Sequence, residues 1–105
     1  MYKLIVFVPE SHLEPVKTAL FDAGAGRQGD YDCCAWQTLG TGQFRPLEGS
    51  NPYQGRRSEI ERVSEYRVEM LCEEELLSRV IGALRAAHPY EEPAFELVKL
   101  VDVHE

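Results

Sequence analysis

Tyr2–Val8 reads YKLIVFV, and both of its faces are apolar: Leu4, Val6 and Val8 lie to one side, Ile5 and Phe7 to the other. Side chains alternate across a strand, so this one is predicted to sit inside a sheet with cover on both faces. The next residues supply the first cover. Ser11-His12-Leu13-Glu14 matches the capping box S-x-x-E, in which serine and glutamate satisfy orphan helix amides. A helix running to about Ala23 sets Leu13, Val16, Leu20 and Ala23 in one stripe, with Gly24 as its natural stop. Pro15 would forfeit an early helical bond, which moves the start toward residue 14.

Further along, Ile60–Cys72 alternates cleanly. Tyr66, Val68, Met70 and Cys72 share one face and Glu65, Arg67 and Glu69 the other, the period-two pattern of a strand with one wet side. Glu73-Glu74-Glu75 places acids where a helix macrodipole favours them, and Leu76, Leu77, Val80, Ile81 and Leu84 make an apolar helical face that Pro89 ends. Phe95–Val103 is a last strand, with Phe95, Leu97, Val101 and Val103 on one face. Between the first helix and Ile60, residues from about Cys33 to Pro46 are extended, and residues 47–57 form a loop with Asn51-Pro52 as a turn signal. The order is βαββαβ. Two right-handed crossovers then fold both helices onto one side of an α+β, ferredoxin-like sandwich. The other side is left bare, with Ile5 and Phe7, or the opposite set Leu4, Val6 and Val8, turned toward it together with Val98 and Leu100. A second copy of the chain is the simplest cover, so a homo-oligomer is expected.

At 105 residues, with 44% apolar and 28% charged side chains, the chain is one domain, 1–105. A formal charge of −7 argues against nucleic acid or an anionic membrane as partner. Residues 1–58 hold six acids and six bases, so residues 59–105 carry the whole excess. Three cysteines without framework spacing point to reduced thiols and a cytoplasmic protein. Cys33 and Cys34, in a strand, would face opposite ways and share no metal; Cys34 and Cys72 read as small buried hydrophobes. No apolar run reaches the ~18–20 residues of a transmembrane helix, and no signal peptide is expected.

Gly24–Gly55 holds seven of the eight glycines, interleaved with Tyr31, Trp36, Phe44 and Tyr53 and with Arg27 and Arg45. Glycine with rigid aromatics suits a shaped surface. It reads either as a long glycine-rich β-arm packing on a neighbouring subunit or as a loop that contacts a ligand, and its arginines, with Arg56 and Arg57 just beyond, are the places to attract a small anion. His88-Pro89-Tyr90-Glu91-Glu92-Pro93 is the most distinctive short stretch. It is either a stiff helix-to-strand corner with solvated charges, or an imidazole beside two carboxylates that binds a metal or shuttles protons. One local turn rarely supplies three convergent ligands, so no metal and no cofactor is expected. Nucleophile-elbow, Walker, HExxH and CxxC motifs are absent. Gly40-Thr41-Gly42 before Arg45 would cradle phosphate only if it opened a helix. His12 is expected in an exposed first helical turn, and His104 in a frayed terminus. The candidate ligand-binding set is therefore Arg27, Arg45, His88, Tyr90, Glu91 and Glu92, with no catalytic residue. The Gly40–Leu47 and His88–Pro93 stretches are expected to meet around a pocket, with Arg45 as the natural partner of Glu91 or Glu92.

Three motifs carry a resemblance: Gly29-Asp30-Tyr31-Asp32, the G-T-G-x-F-R-P-L stretch at Gly40–Leu47, and HPYEEPA at His88–Ala94. Together they resemble the PII/CutA-like domain inserted in bacterial Nif-three-type proteins, also called GTP cyclohydrolase 1 type 2 homologues or NGG-interacting factor-like proteins. The resemblance runs from Lys3 to Val101 and implies a free-standing copy of that domain. It implies a PII/CutA-like fold and, as in those proteins, a trimer rather than a dimer. The family's two-metal site lies in lobes flanking the insert, so neither metal nor hydrolase-type activity carries over to any residue here. What it implies instead is a non-catalytic oligomeric binding or regulatory module, with a protein partner or a small anionic ligand. The alternative, which the arginine-bearing loop keeps open, is a small-ligand or metal-binding protein, with or without enzymatic chemistry, whose site Arg27, Arg45 and the HPYEE corner form between subunits.

Overall fold

The computed structural model describes residues 1–103; His104 lies outside them. Strand β1 is Tyr2–Pro9, and a 3-10 turn at Glu10–His12 leads into helix α1, Leu13–Asp22. Strands β2, Trp36–Phe44, and β3, Glu61–Cys72, follow. A second 3-10 turn, Glu74–Leu76, opens helix α2, Leu77–Ala87, and β4 is Phe95–Lys99. The four strands form one sheet in the order β2-β3-β1-β4, antiparallel at every pairing. This is the ferredoxin-like α+β arrangement that the alternation of elements predicts.

The core lies between the sheet and the two helices. Leu4, Val6 and Val8 of β1 and Val68, Met70 and Cys72 of β3 meet Leu13, Val16 and Leu20 of α1 and Val80 and Leu84 of α2. Each such buried side chain contributes on the order of 1.5–3 kcal/mol. Cys72 belongs to this core as expected, and burial, more than the neighbouring Glu73 charge, pushes its thiol pKa up. It behaves as a small hydrophobe.

Local details depart from the sequence expectation. No capping box forms at α1: the Ser11 hydroxyl bonds the His12 ring at 2.8 Å instead of a helix amide, because the intervening 3-10 turn moves the helix start to Leu13. Pro15 then falls in the first turn, where its missing donor has no intrahelical partner to lose. The other end of α1 closes as expected. Gly24, at φ +109°, follows the cap residue Ala23, with Gly24 N–H donating to Phe21 O (3.0 Å) and Ala25 N–H to Leu20 O (3.1 Å). That is a Schellman closure. A side chain at Gly24 would meet Leu76 Cδ1 at 2.8 Å.

Cys33 and Cys34 precede β2 rather than lying in a strand. Cys33 sits at φ +54° and is exposed, and Cys34 is half-buried rather than buried. β4 stops at Lys99, leaving Val101 and Val103 87% and 74% exposed where the alternation had extended the strand.

The uncovered side of the sheet is less bare than expected. Ile5 is only 5% exposed. Lys3 and Arg67, on neighbouring strands, both pair with Glu69 at 3.0 Å, and the Arg67 guanidinium lies 5.8 Å from the Phe7 ring centre. Hydrogen bonds from Lys3, then Arg67, hold the Glu69 carboxyl below its ordinary range. Trp36, opposite Glu69 in the register, stays 61% exposed.

β2, drawn from the stretch expected as a glycine-rich arm, is an edge strand paired with β3 along all nine residues. Because β1 reaches only to Glu65 of β3, the pairs from Thr41↔Ser64 to Phe44↔Glu61 extend past it as two strands.

Candidate functional site

At the Pro9 end of β1 three segments converge: the two-stranded extension, the loop of residues 45–60, and the HPYEEP corner. They are joined through the end of the central strand. β4 pairs with β1 only as far as Val6, so the next backbone groups of β1 need other partners. Phe7 N–H donates to Ala94 O at 3.1 Å, and His88 Nε2 meets Phe7 O at 2.7 Å. On the far side of the ring, Tyr90 N–H donates to His88 Nδ1 at 3.1 Å. A carbonyl only accepts and an amide N–H only donates, so the proton sits on Nε2 and the imidazole is neutral. Burial holds its pKa below the ordinary value, against the opposing pull of the Phe7 carbonyl, and the nearby His12 adds to the depression. His88 is 6% exposed. Both ring nitrogens serve the backbone, so it has none to offer a ligand.

Tyr90, fixed by this bond, is the hub of an aromatic group. Its ring centre lies 4.9 Å from His88, 6.2 Å from Phe44 and 6.1 Å from Tyr53. Tyr53 also meets His12 edge-on at 5.8 Å. The buried Tyr90 hydroxyl lies beside the Glu65 carboxylate without closing a well-formed hydrogen bond to it. Burial, then the neighbouring Glu65 carboxylate and Tyr53, push its pKa well above the ordinary phenol value, so it stays protonated.

The loop is tied down by its own polar groups. Arg57 Nε and Nη2 both donate to Ser50 O, at 2.8 and 2.6 Å; Ser58 N–H donates to Pro46 O at 2.6 Å. Asn51 N–H donates to Glu91 Oε2 at 3.0 Å, joining loop to corner. Arg57, expected to attract anions, is thus committed to holding the loop.

These segments enclose a cavity of about 410 Å³. Arg45, Tyr90, Glu91 and Glu92 of the candidate set line it, together with Phe44, Tyr53 and Glu65. The Gly40–Leu47 and His88–Pro93 stretches do meet around it, but Arg45 makes no ion pair with Glu91 or Glu92. Arg27 is elsewhere. It lines a shallower pocket of about 250 Å³ with Lys3, Trp36 and Glu69, toward the other end of β1, about 20 Å away by strand rise. Within one protomer Arg27 and Arg45 cannot act on one ligand. Among the described residues, no group of three or more His, Cys, Asp or Glu side chains converges to hold a metal ion, and no helix is long and apolar enough to cross a membrane.

Glu65 and Tyr53 were the cavity residues hardest to find from the sequence. Glu65 reads as one more residue of a wet strand face. The usable signal is glycine opposite it: Gly40 faces Glu65 in the register, and the Glu65 carboxylate occupies the space that a side chain at Gly42 would fill.

No protein-family model matches the chain. Over 99 residues it is 48% identical to a GTP cyclohydrolase 1 type 2 homolog of Mycobacterium leprae, covering 94% of this chain and 26% of that protein. The homolog of Halalkalibacterium halodurans is 43% identical over 102 residues, 97% of this chain and 27% of that protein. The crystal structure of a Bacillus cereus protein related to NIF3 superposes with a TM-score of 0.83 at 42% identity, covering 96% of this chain and 26% of that one. CutA1 from Pyrococcus horikoshii superposes with a TM-score of 0.70 at 22% identity, covering 100% of this chain and 88% of that one; at this identity the likeness shows the fold. The chain spans about a quarter of the length of the curated relatives it matches. In sequence the chain is therefore similar to a quarter-length stretch of the Nif3-type GTP cyclohydrolase 1 type 2 homologs, and its fold is the PII/CutA-like one.

Proposed function

We propose that this domain is a non-catalytic module that assembles with further copies of itself, as a trimer in preference to a dimer. The free edge of β2 carries the proposal. Its nine residues, WQTLGTGQF, include no charge and no proline, whereas edge strands that stay unpaired are usually blunted by one or the other. Trp36 and Leu39, 61% and 56% exposed, lie on opposite faces of this edge, so both sides offer apolar contact. The opposite edge, β4, is a five-residue strand containing Glu96 and Lys99. Contact between unlike surfaces of successive copies closes rings, whereas contact between like surfaces makes dimers; the resemblance to PII and CutA favours the ring.

Sedimentation velocity at micromolar concentration tests this. The expected species has about three times the 11.9 kDa chain mass, and Leu39→Lys, which adds an edge charge, shifts it to monomer with unchanged far-ultraviolet circular dichroism. A wild-type chain that sediments only as monomer overturns the proposal. The cavity beneath Tyr90 favours a second role, small-ligand binding, which is compatible with assembly because its walls come from one protomer.

A further inference from the structure

The geometry points to the cavity between Tyr90 and the 45–60 loop as a site for a small organic cation, an ammonium group carried on an apolar or aromatic body. This names the ligand class for the ligand-binding role of the same cavity and rests on that role.

Charge is the first argument. Glu65, Glu91 and Glu92 line the cavity against one guanidinium, Arg45. An inorganic anion entering there would be brought beside three carboxylates, and the chain as a whole carries −7, so the field disfavours it. The carboxylates do not converge as a metal-binding group, and Glu91 already accepts the Asn51 amide. A diffuse negative field of this kind suits a large, weakly hydrated cation better than a compact one that needs a closed ligand shell.

The walls supply the second argument. Phe44 and Tyr53 flank Tyr90 at interplanar angles of 49° and 46°, a bent aromatic surface whose ring faces attract cations. At about 410 Å³ the cavity falls in the range of small-molecule sites. The buried Tyr90 hydroxyl lies beside the Glu65 carboxylate and closes no well-formed hydrogen bond, which leaves its oxygen able to accept one. Glycine fixes the third element. The Glu65 carboxylate rests where any larger residue at position 42 would place its side chain, so its position depends on Gly42.

The test is a titration of the isotope-labelled 105-residue chain, followed by amide NMR. Three probes share one ring: benzyltrimethylammonium, benzyl alcohol and benzoate. Expected are saturable shifts at the Phe44, Tyr53 and Tyr90 amides with the ammonium, and binding at least about fivefold weaker for the other two. Glu65→Gln should weaken ammonium binding about fivefold and Tyr53→Ala about two- to fivefold. Both residues lie outside the buried core, and unchanged amide spectra away from the cavity check that the variants fold. Benzoate or benzyl alcohol binding as tightly as the ammonium overturns the cation class while leaving the cavity a binding site. Absence of saturable shifts at these amides with all three probes, up to about 10 mM, overturns the ligand-binding role as well.

Discussion

Replacing His88 by leucine isolates what holds the HPYEEP corner to the sheet. Leucine fills roughly the volume of the ring but offers no polar atom. Two backbone groups then lose their partners: Phe7 O, bonded by Nε2 at 2.7 Å, and Tyr90 N–H, bonded by Nδ1 at 3.1 Å. His88 is 6% exposed, so water has little access to replace either bond. An orphaned buried donor or acceptor costs about 1–3 kcal/mol, which puts the loss for two at about 2–6 kcal/mol, a large share of the ~5–15 kcal/mol that stabilises a domain. In urea denaturation a loss of about 3 kcal/mol lowers the midpoint by about 1–3 M.

The same substitution carries a pH signature. Burial lowers the folded-state pKa of His88 from its ordinary value of 6.5, so below that pH the unfolded chain binds more protons than the folded one. Stability is fully present above about 6.5 and falls as pH drops toward the depressed folded value. Protonation would also place a proton on Nδ1, where Tyr90 N–H now donates, and break that bond. His88→Leu should therefore be less stable than wild type at neutral pH and flatter between about pH 7.5 and 5. A loss below about 1 kcal/mol, or parallel pH profiles for the two proteins, would refute the role assigned to the ring.

Gly24→Ala forces a Cβ into a positive-φ position and against Leu76 Cδ1 at 2.8 Å; thermal or urea unfolding should show a loss of about 1–3 kcal/mol. Arg45 is exposed and free of ion pairs with the corner, so Arg45→Ala should cost less than about 1 kcal/mol. A double-mutant cycle with Glu91→Ala or Glu92→Ala should show coupling near zero, and coupling above about 1 kcal/mol would mean that the pair forms in solution.

The fold was largely legible because its strongest signals are periodic. β3 sets Tyr66, Val68, Met70 and Cys72 at alternate positions against the helix-side core, and the stripe Leu13, Val16, Leu20 is buried as a unit. What misled was local chemistry without periodicity. Ser11-x-x-Glu14 has the letters of a capping box, but Pro9 extends β1 and the 3-10 turn displaces the helix start. At the far end, Val101 and Val103 continue the alternation of β4 with no strand to pair with: β1 begins at Tyr2, which faces Lys99. Hydrophobic alternation marks residues fit for a strand, while the length of the strand is set by its neighbour.

The site was legible in part, and the difference between its residues is instructive. Rigid residues gave away the meeting of the HPYEEP corner with Phe44–Leu47, because prolines and glycines restrict where a chain can turn. Charge alone did not sort the arginines. Arg27, Arg45 and Arg57 are alike in the sequence, yet one lines a pocket at the far end of the sheet, one edges the cavity, and one is bound to the Ser50 carbonyl. His88 beside two carboxylates looked like a ligand set, and the structure spends both ring nitrogens on the backbone. Position 88 follows the last residue of α2, and there a buried side chain with one donor and one acceptor can supply the bond that a short β4 leaves unmade at Phe7 O and at the same time hold Tyr90 N–H. The imidazole serves the backbone rather than a ligand: satisfying two backbone groups fixes Tyr90, Tyr90 organises Phe44 and Tyr53 about itself, and the cavity is a consequence of that order.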